Sequence, residues 1–372
     1  MSRIPALAAV RALAAGLVLL SHVGYWTGAT ATGFLGGLAA RGDVGVALFF
    51  ALSAFLLLRP WLTATAPNTR TYAVRRAARI LPAYWIVLVG VLLVAAANPR
   101  FTGGTGGVGT VITHLFVAQG WGGRSYQAFS QTWSLTTEVT FYFLVPVVGL
   151  ALARLRPERL PRLVLASAGT GLVATGVATA WVTADPDGHG GVLGSSALGH
   201  AAWFAAGLGV AAYRVRGGTT TTRLPGRVVR MLADNPGTAL ACAGALALLA
   251  STPLAGPRLL SETTVVAAVT KEALYAAIAG LVLLAATAST STSRVLRALS
   301  ERPATTFAGD ISYGVFLSHV LALQVAFLLT GWRLFEAPFG PVLTSVLVLT
   351  VGFSIVLFYA VEKPISRLVH RG

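Results

Sequence analysis

Residues 4–26 read IPALAAVRALAAGLVLLSHVGYW. Only Arg11, Ser21 and His22 in this run are strongly polar. Coiled at 1.5 Å per residue, the run is long enough to cross the roughly 30 Å hydrocarbon core of a bilayer. It differs from a signal peptide in two ways: Arg11 interrupts the apolar region, and no small-residue cleavage pattern follows. It therefore reads as a retained first membrane span.

Nine more apolar runs follow, over residues 43–62, 76–97, 133–153, 163–184, 195–213, 238–251, 263–287, 310–330 and 341–361. The run at 238–251 is short, and that at 263–287 contains Lys271 and Glu272. Residues 110–119 are apolar but too few to span, which leaves a re-entrant or an interfacial position open. The expected fold is all-α: a polytopic transmembrane helix bundle of about ten spans.

Composition agrees. Of the 372 residues, 55% are hydrophobic and only 11% charged, with a mean hydropathy of +0.74. A soluble domain carries about a quarter charged residues. The net charge of +16 does not point to nucleic acid, because the basic residues sit in short clusters between the apolar runs and form no groove-facing stripe. With the N-terminus inside, alternate loops and ends hold 21 Lys/Arg on the inner side and 5 on the outer, and Arg11 and Lys271 within spans complete the 28. That split follows the positive-inside rule and predicts both termini in the cytoplasm. The longest loop, about 98–132, is glycine-rich and leaves no room for a second domain, so residues 1–372 are expected to form a single unit. The one cysteine, Cys242, and the histidine spacing suggest no metal site.

An ionisable side chain within a span costs at least ~2.5–3.5 kcal/mol on insertion scales and is a functional candidate for that reason. The candidates are Arg11 and His22 in span 1, Glu138 in span 4, His200 in span 6, Lys271 and Glu272 in span 8, and His319 in span 9. Arg11 and His22 lie eleven residues apart, which returns them to one helix face about 16 Å apart along the axis. Two buried polar residues bonding neighbouring helices would show the same spacing. His22 and Glu138 each lie one to two turns from the outer end of their span, so imidazole and carboxylate can share a level, where the carboxylate would orient the ring and raise its basicity. Arg76 and Arg79 share a face at the inner end of span 3. Positive-inside topology alone places arginines there, and a phosphate-binding fork is the functional alternative.

The motifs occur in a recognisable order: Arg11-x10-His22; Phe49-Phe50-Ala51-Leu52-Ser53-Ala54-Phe55; Arg76-Ala77-Ala78-Arg79-Ile80-Leu81-Pro82-Ala83-Tyr84-Trp85; Trp133-Ser134-Leu135-Thr136-Thr137-Glu138 with Phe141-Tyr142; Ser312-Tyr313-Gly314-Val315-Phe316-Leu317-Ser318-His319; and Glu362-Lys363-Pro364. Together they resemble acyltransferase family 3, the bacterial integral-membrane acyltransferases, over nearly the whole chain. The chain departs from the pattern at Ala54, where a glycine is usual, at Ala47, where many members carry an acid, at Val139 and Thr140, where a second polar or acidic residue is frequent, and at Phe316, where a tyrosine is common.

The resemblance implies an enzyme of the bacterial plasma membrane. It would transfer an acyl group, acetyl or another short acyl, from acyl-CoA to a hydroxyl of a carbohydrate, glycolipid or secreted small molecule. It implies acyl-CoA as co-substrate, no tightly bound cofactor and no nucleic-acid partner. His22 would be the catalytic base, assisted by Glu138, and Arg11, Arg76, Arg79 and Tyr84 would hold the donor. Ser53, Trp133, Tyr142, Tyr313 and His319 would contact the acceptor or the oxyanion. A multi-pass transporter of a small polar solute is the alternative, since transporters also bury ionisable groups, and the ordered motifs speak against it.

Overall fold

A computed structural model describes all residues except 1–3, 64–66, 123–124, 187, 219–223, 259–262, 289–297, 299–300 and 372. Of the arginines counted above, Arg3, Arg124, Arg223, Arg294 and Arg297 lie outside the described residues.

Each apolar run coincides with a helix: α1 Ala6–Trp26, α2 Val44–Leu58, α3 Thr69–Ala97, α4 Trp133–Arg154, α5 Leu160–Ala184, α6 Ala201–Val215, α7 Pro236–Ala250, α8 Val265–Ala286, α9 Pro303–Thr330 and α10 Phe339–Leu357. No strand occurs among the described residues. Eight helical stretches are long and apolar enough to cross a membrane. The two that fall short are α6 and α7, each of 15 residues, or about 22 Å at 1.5 Å per residue; α2, equally short by itself, is part of the longer helical stretch Gly33–Leu62. α7 is joined to a helical stretch, Gly226–Asp234, at a bend of 109°. α6 is buried along most of its length, so protein surrounds it and lipid thickness does not set its length.

Small residues let the central helices approach closely, as expected where lipid supplies no hydrophobic drive between them. A Cβ at Gly207 of α6 would collide with the Ala51 carbonyl of α2, and one at Gly309 of α9 would meet Ala8 of α1 at 2.6 Å. Gly45 of α2 packs onto Ala14 and Val18 of α1. α1 and α9 run side by side in the same direction: Gly309 lies against Ala8 at one end, and Phe327 packs on Trp26 at the other.

The local sequence sets the helix ends. Asn68 caps α3 by accepting from the Arg70 and Thr71 amides, which places Arg75, Arg76 and Arg79 on its first turns. Pro303 opens α9, and Gly331 closes it with φ +71, a conformation that favours glycine. After α10 the chain passes through a π-helical turn, Phe358–Glu362, into a polar-faced helix α11, Lys363–Arg371. The apolar stretch at 110–119 overlaps a short helix, Val108–Leu115, laid against α3. Tyr84 Oη and Trp85 Nε1 donate to the carbonyls of His114 and Leu115 at its end.

Candidate functional site

α1 and α9 bring two histidines together. His319 Nδ1 lies 2.7 Å from Phe316 O and 3.2 Å from Val315 O, and His22 Nδ1 lies 2.9 Å from Val18 O. Carbonyl oxygens only accept, so both Nδ1 atoms carry the proton. His319 Nε2, 3.3 Å from His22 Nδ1, is then the second and longer acceptor of that one proton, shared with Val18 O. In this neutral pair the lone pair of His22 rests on Nε2, the nitrogen left for chemistry. The rings meet edge to face with centroids 4.9 Å apart.

Three cavities cross the bundle in series. The first, at the arginine-rich end, is about 470 Å³ and gathers Arg11, Arg75, Arg76, Arg79, Lys363 and Arg367 against only Asp310 and Glu362. Arg76 Nε is buried there without a hydrogen-bond partner. The middle cavity, about 320 Å³, is lined by Arg11, Ser53, Arg76, Arg79, Glu138, Tyr142 and Tyr313 among apolar side chains. The third, about 390 Å³, holds His22 with Arg41, Asp43, Trp133, Arg258 and Lys271. Arg11, Arg76 and Arg79 line both the first and middle cavities. Val46 and Phe316 line both the middle and third and form a shared wall. Arg11 and His22 therefore face the same series at different depths, as their spacing along α1 requires.

The expected pairing of Glu138 with His22 is not what the geometry gives. Glu138 Oε1 accepts from Ser53 Oγ and, at 2.6 Å, from Tyr142 Oη. The carboxylate thus lies in the middle cavity, and the groups that orient His22 are Val18 O and His319. Tyr142 is one helical turn from Glu138 on α4, and Ser53 reaches it from α2, so the two hydroxyls fix the carboxylate within its own cavity. Tyr313 donates to Ile80 O at 3.0 Å and tethers α9 to α3 beside the arginines.

Tyr84 does not line any of the three cavities. It is fully buried, and its hydroxyl is taken up by His114 O at 2.7 Å, so it anchors the 108–121 segment. Trp133 lines the third cavity and stands against His200, with ring centroids 5.4 Å apart.

Lys271 and Glu272 point to different partners. Lys271 Nζ pairs with Asp43 Oδ2 at 2.5 Å, and Tyr275 Oη donates to the other oxygen of Asp43. Glu272 Oε2 lies 3.2 Å from His200 Nδ1, behind Trp133. Sequence reasoning passed over Asp43, Arg41, Thr30 and Gln131. A usable signal existed for Asp43: an acid at the entrance of one span and a lysine within another.

A family model described as an acyltransferase domain matches residues 4–359. No curated protein and no solved structure matches the chain.

Proposed function

The chain belongs to acyltransferase family 3 and is a multi-pass membrane acyltransferase; on that premise, we propose that it moves a short acyl group, acetyl in the simplest case, from acyl-CoA to a hydroxyl of a carbohydrate, glycolipid or secreted small molecule. The observation that supports this reading is the position of His22. Its free Nε2 belongs to a cavity entered from one end of the bundle, and a basic series of cavities approaches the same wall from the other.

In this reading the arginine-rich end faces the cytoplasm of a bacterial plasma membrane. The phosphates of acyl-CoA bind at Arg75, Arg76 and Arg79, where planar guanidiniums match phosphate oxygens. The pantetheine arm passes Arg11, Ser53 and Glu138 through the middle cavity, and the thioester reaches the wall formed by Val46 and Phe316. The acceptor enters the third cavity from the opposite side of the membrane.

His22 Nε2 takes the proton of the acceptor hydroxyl as that oxygen attacks the thioester carbonyl. A new C–O bond forms, and the carbonyl electrons collect on the oxygen. When the carbonyl reforms, the C–S bond breaks and the thiolate leaves. The imidazolium returns its proton to that sulfur, so the products are the ester and coenzyme A. His319 supports each step by holding the His22 ring and its tautomer. Its lone pair faces Nδ1–H, where the positive charge of the imidazolium is partly carried.

Comparative mass spectrometry of glycans, lipids and secreted metabolites tests the reading in a host carrying wild type, a deletion, or His22→Ala at matched protein levels. An acyl-sized mass lost in both mutants is the expected result. Loss in the deletion alone removes His22 from the base role. No acyl change in either strain removes the reading.

A further inference from the structure

The third cavity has more positive charge than it needs to hold itself together. Of its charged groups among the described residues, Lys271 is matched by Asp43. Arg41 and Arg258 have no carboxylate partner among the described residues. Arg41 is 5% exposed; its Nε donates to Ala250 O at 2.8 Å and its Nη2 to Gly256 O at 2.5 Å. Arg258 spends one N–H on Gly33 O at 2.9 Å. These carbonyls fix both guanidiniums in place without neutralising either. Burying a guanidinium, as at Arg41, is costly unless an anion pairs with it; Arg258 is only partly buried, and the planar fork of each suits carboxylate or phosphate oxygens.

The same cavity contains unmet hydrogen-bonding capacity. Thr30 Oγ1 and Gln131 Oε1 are buried without partners, on residues 1% and 3% exposed. Gln131 is held by its other end, Nε2 donating to Leu317 O at 2.9 Å, so its free oxygen is a fixed acceptor for a hydroxyl. Such orphaned groups in a cavity ask for a polar occupant.

We propose that the acceptor is a polyhydroxylated molecule bearing a phosphate or carboxylate, held through that anion by Arg41 and Arg258 while Gln131 and Thr30 engage its hydroxyls beside His22. This rests on the third cavity being the acceptor side of the transferase. It narrows the acceptor from any hydroxyl compound to an anionic one, such as an acidic sugar or a phosphate-linked glycan precursor.

Equilibrium binding to the full chain in nanodiscs, with no acyl donor present, tests it. The probes are methyl glucuronide and glycerol 3-phosphate, against the uncharged methyl glucoside and glycerol. Wild type is expected to bind each anionic probe at least about tenfold more tightly than its neutral counterpart, the size of one charge-assisted hydrogen bond. Arg258→Gln removes that preference, and Arg258→Lys keeps part of it. Arg41→Gln is expected to do the same; because Arg41 also ties the loop after α7, its melting curve is read alongside, and Arg258 carries the test if that variant unfolds.

Running the series in phosphatidylcholine discs and in discs containing phosphatidylglycerol separates the sources of the anion. Displacement of the probes by phosphatidylglycerol assigns the site to a lipid phosphate, and unchanged binding assigns it to a soluble or glycan-borne group. Equal binding of charged and neutral probes in both membranes overturns the proposal, as does an unaltered preference in Arg258→Gln. Because binding is read without a donor, intact anion preference in a protein that changes no acyl species in the mass-spectrometry comparison would defeat the transferase reading alone.

Discussion

His319 Nε2 accepts from His22 Nδ1 across 3.3 Å, between two helices that run side by side. The same Nδ1–H is taken at 2.9 Å by Val18 O, and the two acceptors together leave Nε2 as the nitrogen of His22 that can act. The contact also makes His319 a positioning residue: it lies at 0% exposure behind His22, outside the lining of the three cavities.

His319→Ala is expected to lower kcat by about tenfold or more, less than removal of the base itself, while KM for acyl-CoA stays near wild type. His319→Gln can still offer an oxygen to Nδ1–H and should recover part of the loss. Steady-state kinetics on the two variants checks both statements. A rise in KM with kcat unchanged would show that His319 serves binding and not orientation.

The basic end gives a prediction about the donor. Arg76→Gln should raise KM for acetyl-CoA by about tenfold, the worth of one charge-assisted hydrogen bond. It should leave S-acetyl-pantetheine, which has no phosphate, unaffected. Equal losses with both donors would mean that Arg76 supports the fold.

Stability is predicted most directly at Gly207. A methyl group there meets the Ala51 backbone, which is not the far end of a flexible side chain and cannot turn aside. Gly207→Ala should therefore force α6 from α2 and destabilise the bundle by about 1–3 kcal/mol. A clear fall in melting temperature of the detergent-solubilised protein is the expected outcome. Gly237→Ala, with nothing within 4 Å of its new methyl, serves as the control and should melt close to wild type.

Much of this architecture was legible in the sequence because bilayer thickness imposes a length on every apolar run. All ten runs are helices, and Arg11 and His22 face one series of cavities, as three turns of helix require. Contacts between helices were not legible. Depth alone placed Glu138 level with His22, but depth is one coordinate, and the direction in which α4 turns its carboxylate depends on packing against Ser53. His319 stood in the same motif run as Tyr313, yet nothing in its spacing reveals that α9 lies beside α1. Tyr84 sits in a motif with the arginines but points to the other side of α3, where His114 O takes its hydroxyl. Lys271 and Glu272 looked unexplained as neighbours because each is matched to a residue on a different helix.

The most direct test of the central claim, that His22 Nε2 is the base, is label transfer in inverted membrane vesicles, which in the proposed orientation expose the arginine-rich end to added donor. Radiolabelled acetyl-CoA is supplied to vesicles holding equal amounts of wild type or His22→Gln, and label in endogenous envelope acceptors is followed over time. The account predicts steady incorporation by wild type and a rate at least about a hundredfold lower for His22→Gln. Incorporation by His22→Gln at the wild-type rate would contradict it.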